Sequence, residues 1–145
     1  MEKRLNISTI EPKSFKAMLG LETYLQTTFL SKLSKELIKI RASQINGCAY
    51  CINMHTTDAL KYGETTQRIF LLNAWRETNL FTEEEQILLA MTEEITLIAN
   101  HGLSDETYAK AVLFFDANQI AQVIMAIVTI NACNRIALSS MMEVE

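Results

Sequence analysis

Four glycines and one proline are the only strong chain breakers in 145 residues, and this scarcity constrains the fold more than any other feature. A β-rich domain needs frequent turns of the kind those residues supply, whereas helices joined by short capped corners need few. With 49% hydrophobic residues and apolar positions recurring at helical spacing, the expected fold is all-α, in one domain spanning residues 1–145.

Local signals divide the chain into seven expected helices. Pro12 suits the first turn of an opening helix whose apolar face uses Phe15, Met18, Leu19 and Leu25. A second begins near Ser31 and carries Leu33, Leu37, Ile40 and Gln44 along one stripe, with Glu36 on the adjacent turn. Asn46-Gly47 interrupts the pattern, and Asn46 is the expected N-cap of a third helix from Gly47 to Tyr62, stopped by Gly63. Thr65 or Thr66 caps a fourth containing Ile69, Leu72 and Trp75 and ending near Asn79. Thr82-Glu83-Glu84-Glu85 is a capping box for a fifth that runs toward Gly102. Ser104 opens a sixth through Phe115, and Asp116 with Gln119 opens the last. That last helix is apolar almost all round (Ile120, Val123, Ile124, Ile127, Ile130), which belongs in a core or a subunit interface. A homo-oligomer is expected on that ground.

Thirteen basic against seventeen acidic side chains give a net charge of −4. The balance offers no footprint for nucleic acid and no basic cluster for anionic lipid. The first eight residues contain no apolar signal-peptide core. The longest apolar tract, Ile120 to Cys133, is broken by Gln122, Thr129 and Asn131 and falls short of the about 18 uninterrupted residues of a membrane span. The expected location is the cytoplasm, where three cysteines argue for a redox-active pair plus one spare rather than a disulfide framework.

The chemistry concentrates in Asn46-Gly47-Cys48-Ala49-Tyr50-Cys51-Ile52-Asn53-Met54-His55. On a helix, Cys48, Cys51 and His55 fall at i, i+3 and i+7 on one face. Cys48 is expected in the first turn, where free N–H groups and the dipole favour a thiolate, and Cys51 lies one turn before an imidazole able to take its proton. Closing a Cys48–Cys51 disulfide within a helix should distort that first turn, giving a strained, accessible and easily reduced bond. Two other readings stand beside this one. The set Cys48, Cys51, His55 and Glu36 could ligate zinc, although a structural zinc site usually draws on a second cysteine pair that the chain lacks. The cysteines could also be ordinary buried helix residues, for which a histidine in register is not needed. Cys133, in the last helix, reads as a small packing residue, and His101 beside Gly102 as a helix-end surface residue.

The run from Glu36 to His55, with its C-x-x-C pair and the following Gly63-Glu64, resembles the core signature of the alkylhydroperoxidase D (AhpD) branch of the carboxymuconolactone decarboxylase superfamily. The likeness continues more loosely through Trp75-Arg76, Phe81 to Glu85 and Asn131-x-x-Asn134-Arg135. It implies an AhpD-like helical fold assembling as trimers or hexamers, and a cysteine-dependent peroxidase acting on a peroxide substrate. By the same resemblance Cys51 forms the sulfenic acid, Cys48 is the proton donor and resolving thiol, and His55 with Glu36 forms a proton relay. The decarboxylase branch lacks the cysteine pair. The expected reaction uses no metal, haem, flavin or other cofactor and is recycled by an external dithiol, a lipoyl or thioredoxin-like protein. A disulfide oxidoreductase or adaptor serving another peroxidase, and a non-enzymatic redox-sensing oligomer, are the alternatives.

Overall fold

The structure, a computed structural model, describes residues 4–144. Its elements run α1 (Ile7–Ile10), α2 (Pro12–Leu25), α3 (Lys32–Asn46), α4 (Ala49–Lys61), α5 (Thr66–Leu71), a 3₁₀ segment (Leu72–Glu77), α6 (Glu83–Thr96), α7 (Asp105–Phe114) and α8 (Ala117–Ser140). No strand occurs among the described residues. The expected caps are largely in place: Ser31, Thr65 and Ser104 each accept a backbone N–H through the side chain. Thr82 and Asp116 each form a complete capping box, with Glu85 and Gln119 respectively.

Three boundaries outside the α3–α4 corner differ from expectation. A short α1 precedes Pro12, started by Asn6, whose Oδ1 accepts the Ser8 N–H at 3.0 Å. The fourth expected helix is split, because the chain tightens into 3₁₀ winding at Leu72. Three residues per turn put Leu72 and Trp75 on the same side, and both are buried. The helix opened by Thr82 stops at Thr96 rather than Gly102. Glu94 draws the chain back there, accepting from Ser104 N–H at 2.8 Å and from Thr107 Oγ1 at 2.7 Å, so that α7 starts against the end of α6.

One core lies between α3, α6 and α8, where Ile38, Ala42, Leu88, Met91, Val123, Ile127 and Ile130 meet. A second joins α3 to α4, α5, the 3₁₀ segment and α6 through Leu37, Ile40, Ala59, Ile69, Leu72, Trp75 and Leu89. Helix α3 is therefore central, and Lys35 to Ile40 are all buried. Helix α8 is long and apolar enough to cross a membrane by length and composition, with a mean hydropathy of 1.5 in its best window. The interruptions at Gln122, Thr129 and Asn131 do not prevent this, contrary to the sequence expectation. Its buried face nevertheless packs on α3 and α6, so the helix serves as a core element within the protomer. Val128 and Leu138 remain exposed on α8, but apolar side chains elsewhere, Leu113 and Phe70, are more fully uncovered.

Glu93 ties the second core together. Its carboxylate accepts from Arg41 Nε and from Trp75 Nε1, both at 2.9 Å, and pairs with Arg76. Burial works to raise its pKa, but the hydrogen bonds from Arg76, Arg41 and Trp75 outweigh it and hold the carboxyl below its usual range. A depressed carboxylate pKa contributes stability that is fully present above the unfolded value of about 4.3 and is lost as pH falls through the folded value. Melting temperature should accordingly drop as pH is lowered from 5 toward 3, on the order of those values. Glu93→Gln should melt lower at neutral pH and show a flatter acid limb; parallel limbs for the two proteins would mean that Glu93 is not the group responsible.

Candidate active site

The corner between α3 and α4 builds the site. Gly47 takes the left-handed conformation at φ 70°, open to glycine without the steric cost met by other residues. Cys48 N–H then donates to Ser43 O at 3.0 Å and Gly47 N–H to Gln44 O at 3.3 Å, the paired bonds of a Schellman ending. Asn46 is thus the last residue of α3 and not the N-cap of α4, as the sequence suggested. The cap is Cys48, with extended backbone (φ −86°, ψ 92°) and its Sγ accepting the Cys51 N–H at 3.3 Å.

This placement revises the expected disulfide geometry. Cys48 and Cys51 are bonded, with Cα atoms 5.3 Å apart, inside the usual range of about 4.4–6.8 Å. Cys48 thus stands outside the helix as its cap, not within the first helical turn where the sequence reading put it. The pair is also buried, Cys48 being 1% and Cys51 2% exposed, with Cys51 set in the wall of a cavity.

Asn46 has a different task. Its Nδ2 donates to Asn131 Oδ1 at 3.0 Å and Asn134 Oδ1 at 2.9 Å, while Asn134 Nδ2 donates to Ser43 Oγ at 2.9 Å. This partly buried chain clamps the end of α3 onto α8 and fixes where Gly47 and Cys48 emerge. The Asn131-x-x-Asn134 motif thereby acquires a physical role, since each amide would otherwise lose buried hydrogen-bonding partners.

Glu36 and His55 face each other across α3 and α4. Glu36 Oε2 lies 2.8 Å from His55 Nδ1, and both residues are 6% exposed. Lys39 Nζ stands 4.0 Å from Glu36 Oε1 and 3.0 Å from Glu22 Oε2 of α2. With Cys51, these residues line a cavity of about 420 Å³ walled by Phe15, Met18 and Leu19 of α2, Tyr50 and Met54 of α4, and Ile136 of α8. Of the apolar face expected on α2, Phe15, Met18 and Leu19 thus wall the cavity, while Leu25 is buried in the main core. Lys35 holds the end of that helix, donating from Nζ to Leu25 O and Gln26 Oε1, both at 3.2 Å.

All four sequence-derived candidates, Glu36, Cys48, Cys51 and His55, come together at this corner. Cys133 is half-buried; it packs against the main core and lines the same cavity. Burial, reinforced by the nearby Glu22 charge, pushes its thiol pKa up. Sequence reasoning missed Asp58, whose side chain closes on Glu36 and His55 with ligand-type atoms all within 4.8 Å of one another. The available signal was spacing, because Cys51, His55 and Asp58 stand at i, i+4 and i+7 on one helical stripe.

A model of the carboxymuconolactone decarboxylase family matches residues 12–94. The uncharacterized protein YdfG of Bacillus subtilis (strain 168) is 41% identical over 139 residues, covering 96% of this chain and 95% of the relative. A protein of unknown function from Agrobacterium tumefaciens, provisionally an antioxidant defence protein AhpD, superposes with a TM-score of 0.94 at 37% identity, over 99% of this chain and all of that one. The AhpD core of an uncharacterized peroxidase-related protein from Ralstonia eutropha JMP134 gives 0.82 at 16% identity, over 95% and 74% of the two chains. The debrominase Bmp8 also gives 0.82, at 17% identity over 94% and 74%. The last two likenesses concern the fold alone. From the matched region and the near-complete coverage of its relatives, the chain belongs to the carboxymuconolactone decarboxylase family, in its AhpD-like branch.

Proposed function

We propose that the protein is a thiol-dependent peroxidase that reduces organic hydroperoxides and is recycled by an external dithiol. The observation that carries this reading is the buried Glu36–His55 hydrogen bond at 2.8 Å, set beside the Cys48–Cys51 pair at one end of a largely apolar cavity. A peroxide-related role fits the family; the particular steps are our reading of the geometry.

In the reduced protein, Glu36 accepts the His55 Nδ1–H, which leaves the other ring nitrogen basic and turned to its task by the carboxylate. His55 takes the Cys51 proton. The Cys51 thiolate attacks one peroxide oxygen, the O–O bond breaks, and the alcohol leaves with the proton returned by the imidazolium. Cys51 is then a sulfenic acid. Cys48 Sγ attacks it, water leaves, and the disulfide forms; the donor dithiol restores both thiols by exchange. Phe15, Met18 and Met54 give the organic part of a hydroperoxide an apolar wall.

The test combines peroxide consumption under a panel of dithiols with the pH profile of Cys51 alkylation. We expect an apparent thiol pKa below the free value of about 8.5, raised toward that value in His55→Ala and unmoved in Cys133→Ala. Disulfide exchange without peroxide consumption would replace the reading with that of an oxidoreductase adaptor. An unchanged profile in His55→Ala would remove the imidazole from the mechanism.

A further inference from the structure

The peroxide chemistry leaves Asp58 without a task, although its side chain is turned toward two buried polar groups of the site, Glu36 and His55. Lys61 pairs with Asp58 Oδ1 at 3.3 Å, but that lysine is largely exposed and gives no reason for the inward approach. The carboxylates of Glu36 and Asp58 and the imidazole of His55 offer three ligand atoms within 4.8 Å of one another. Tetrahedral zinc, with bonds of about 2.0–2.2 Å to nitrogen and oxygen, holds neighbouring ligand atoms about 3.3–3.5 Å apart. The widest separation therefore needs to close by little more than an ångström, on the order of a small side-chain rotation at the partly exposed Asp58, while the 2.8 Å contact between Glu36 and His55 opens slightly.

A fourth ligand is supplied by redox state. Cys51 shares the helical stripe of His55 and Asp58 and lines the same cavity. In the disulfide its sulfur is committed to Cys48; once reduced, it is a thiolate donor for a borderline-soft ion.

We propose that the reduced protein binds one zinc-class divalent ion through Glu36, Cys51, His55 and Asp58, and that oxidation to the Cys48–Cys51 disulfide releases it. Binding displaces the Cys51 proton as the S–metal bond forms. On release, the peroxide takes two electrons from the pair. The metal-bound Cys51 thiolate, the Cys48 thiol, one hydroperoxide and one proton give the disulfide, an alcohol, water and the free ion. Two carboxylates, a thiolate and a neutral imidazole carry a triple negative charge, of which a divalent cation offsets two; the Lys39 ammonium, 4.0 Å from Glu36, is shared with Glu22 at 3.0 Å and offsets the remainder only in part. The ion occupies the Cys51 lone pair that peroxide chemistry needs, so the Cys51–metal bond opens before the thiolate attacks the peroxide, and the loaded protein reacts more slowly than the metal-free one. This inference rests on the proposed cycling of Cys51 between thiol and disulfide.

The test is made without peroxide, so its failure and that of the peroxidase reading are distinguishable. Reduced protein is titrated anaerobically with cobalt(II) chloride, followed by its sulfur-to-metal absorption in the near ultraviolet, and then with zinc chloride against a chromophoric chelator. We expect one equivalent bound and a sulfur band that is lost in Cys51→Ser and retained in Cys48→Ser. Affinity should fall about tenfold or more in Asp58→Asn and in the oxidised protein. Circular dichroism melts verify that each variant is folded. Unchanged zinc affinity in folded Asp58→Asn, absence of the sulfur band, or equal affinity in the oxidised protein would each overturn the proposal.

Discussion

Cys51→Ser should abolish peroxide consumption, by about three orders of magnitude or more, because it removes the sulfur proposed as the nucleophile. No trap for sulfenic acid should label this variant at a comparable rate. Cys48→Ser should also lose turnover, but for another reason: one equivalent of peroxide should still react and leave a sulfenic acid on Cys51 that a dimedone-type reagent captures. The asymmetry is argued from position. Cys51 is one turn from His55 on the stripe that faces the cavity, whereas Cys48 is outside the helix and directed at the Cys51 N–H. A thiolate at Cys48 would gain from the helix N-terminus, so the opposite labelling pattern has a defined physical meaning. It would show that the dipole, not the imidazole, selects the attacking sulfur.

The second large effect concerns stability. Arg68 donates from Nε to Glu64 Oε1 at 2.9 Å, from Nη2 to Glu85 Oε1 at 2.7 Å, and from Nη1 to Leu80 O at 2.6 Å; its guanidinium also lies 4.5 Å from the Phe81 ring centroid. One side chain therefore joins α5 to the loop before α6 and to the capping box at Thr82. Arg68→Met keeps much of the stem but leaves Glu64, a buried carboxylate, without a cation. Breaking a buried pair from one side costs about 3–5 kcal/mol. The lower end applies, because Arg68 is partly exposed and Glu85 keeps its bond to Thr82 N–H. A loss of about 3 kcal/mol corresponds to a fall in Tm on the order of 10 °C. Arg68→Lys should recover only part of it, since an ammonium cannot span both carboxylates and the carbonyl with fixed geometry. A shift under about 2 °C in Arg68→Met would mean that solvent takes over the role of the guanidinium.

What the sequence made legible was local. Ser31, Thr65, Thr82, Ser104 and Asp116 start helices through bonds to residues two or three positions ahead, and such bonds are written into short spacings. The α3–α4 corner was misread by two residues because Asn46 is as good an N-cap by type as Cys48 is an unusual one. The choice was made by Gly47 and by Asn131 and Asn134, which lie more than eighty positions away. Glu36, Cys51 and His55 were recoverable as a constellation. Lys39 and Glu22 were not, because α2 is brought against α3 by tertiary packing that no period reveals. Arg68 was likewise silent: its partners are close in space and lie at separations that include i+17.

Cys48 does two unrelated things with one sulfur: it begins a helix and it closes a redox bond. Serine is among the best residues for the first duty and incapable of the second. A single-base exchange at this codon could therefore silence the chemistry while leaving α4 properly started and the corner intact. Alanine would retain neither duty and would cost about 1 kcal/mol at the cap. The scaffold is thus poised to outlive its reaction, and a lineage built on it can drift from thiol chemistry to another trade without first having to repair its architecture.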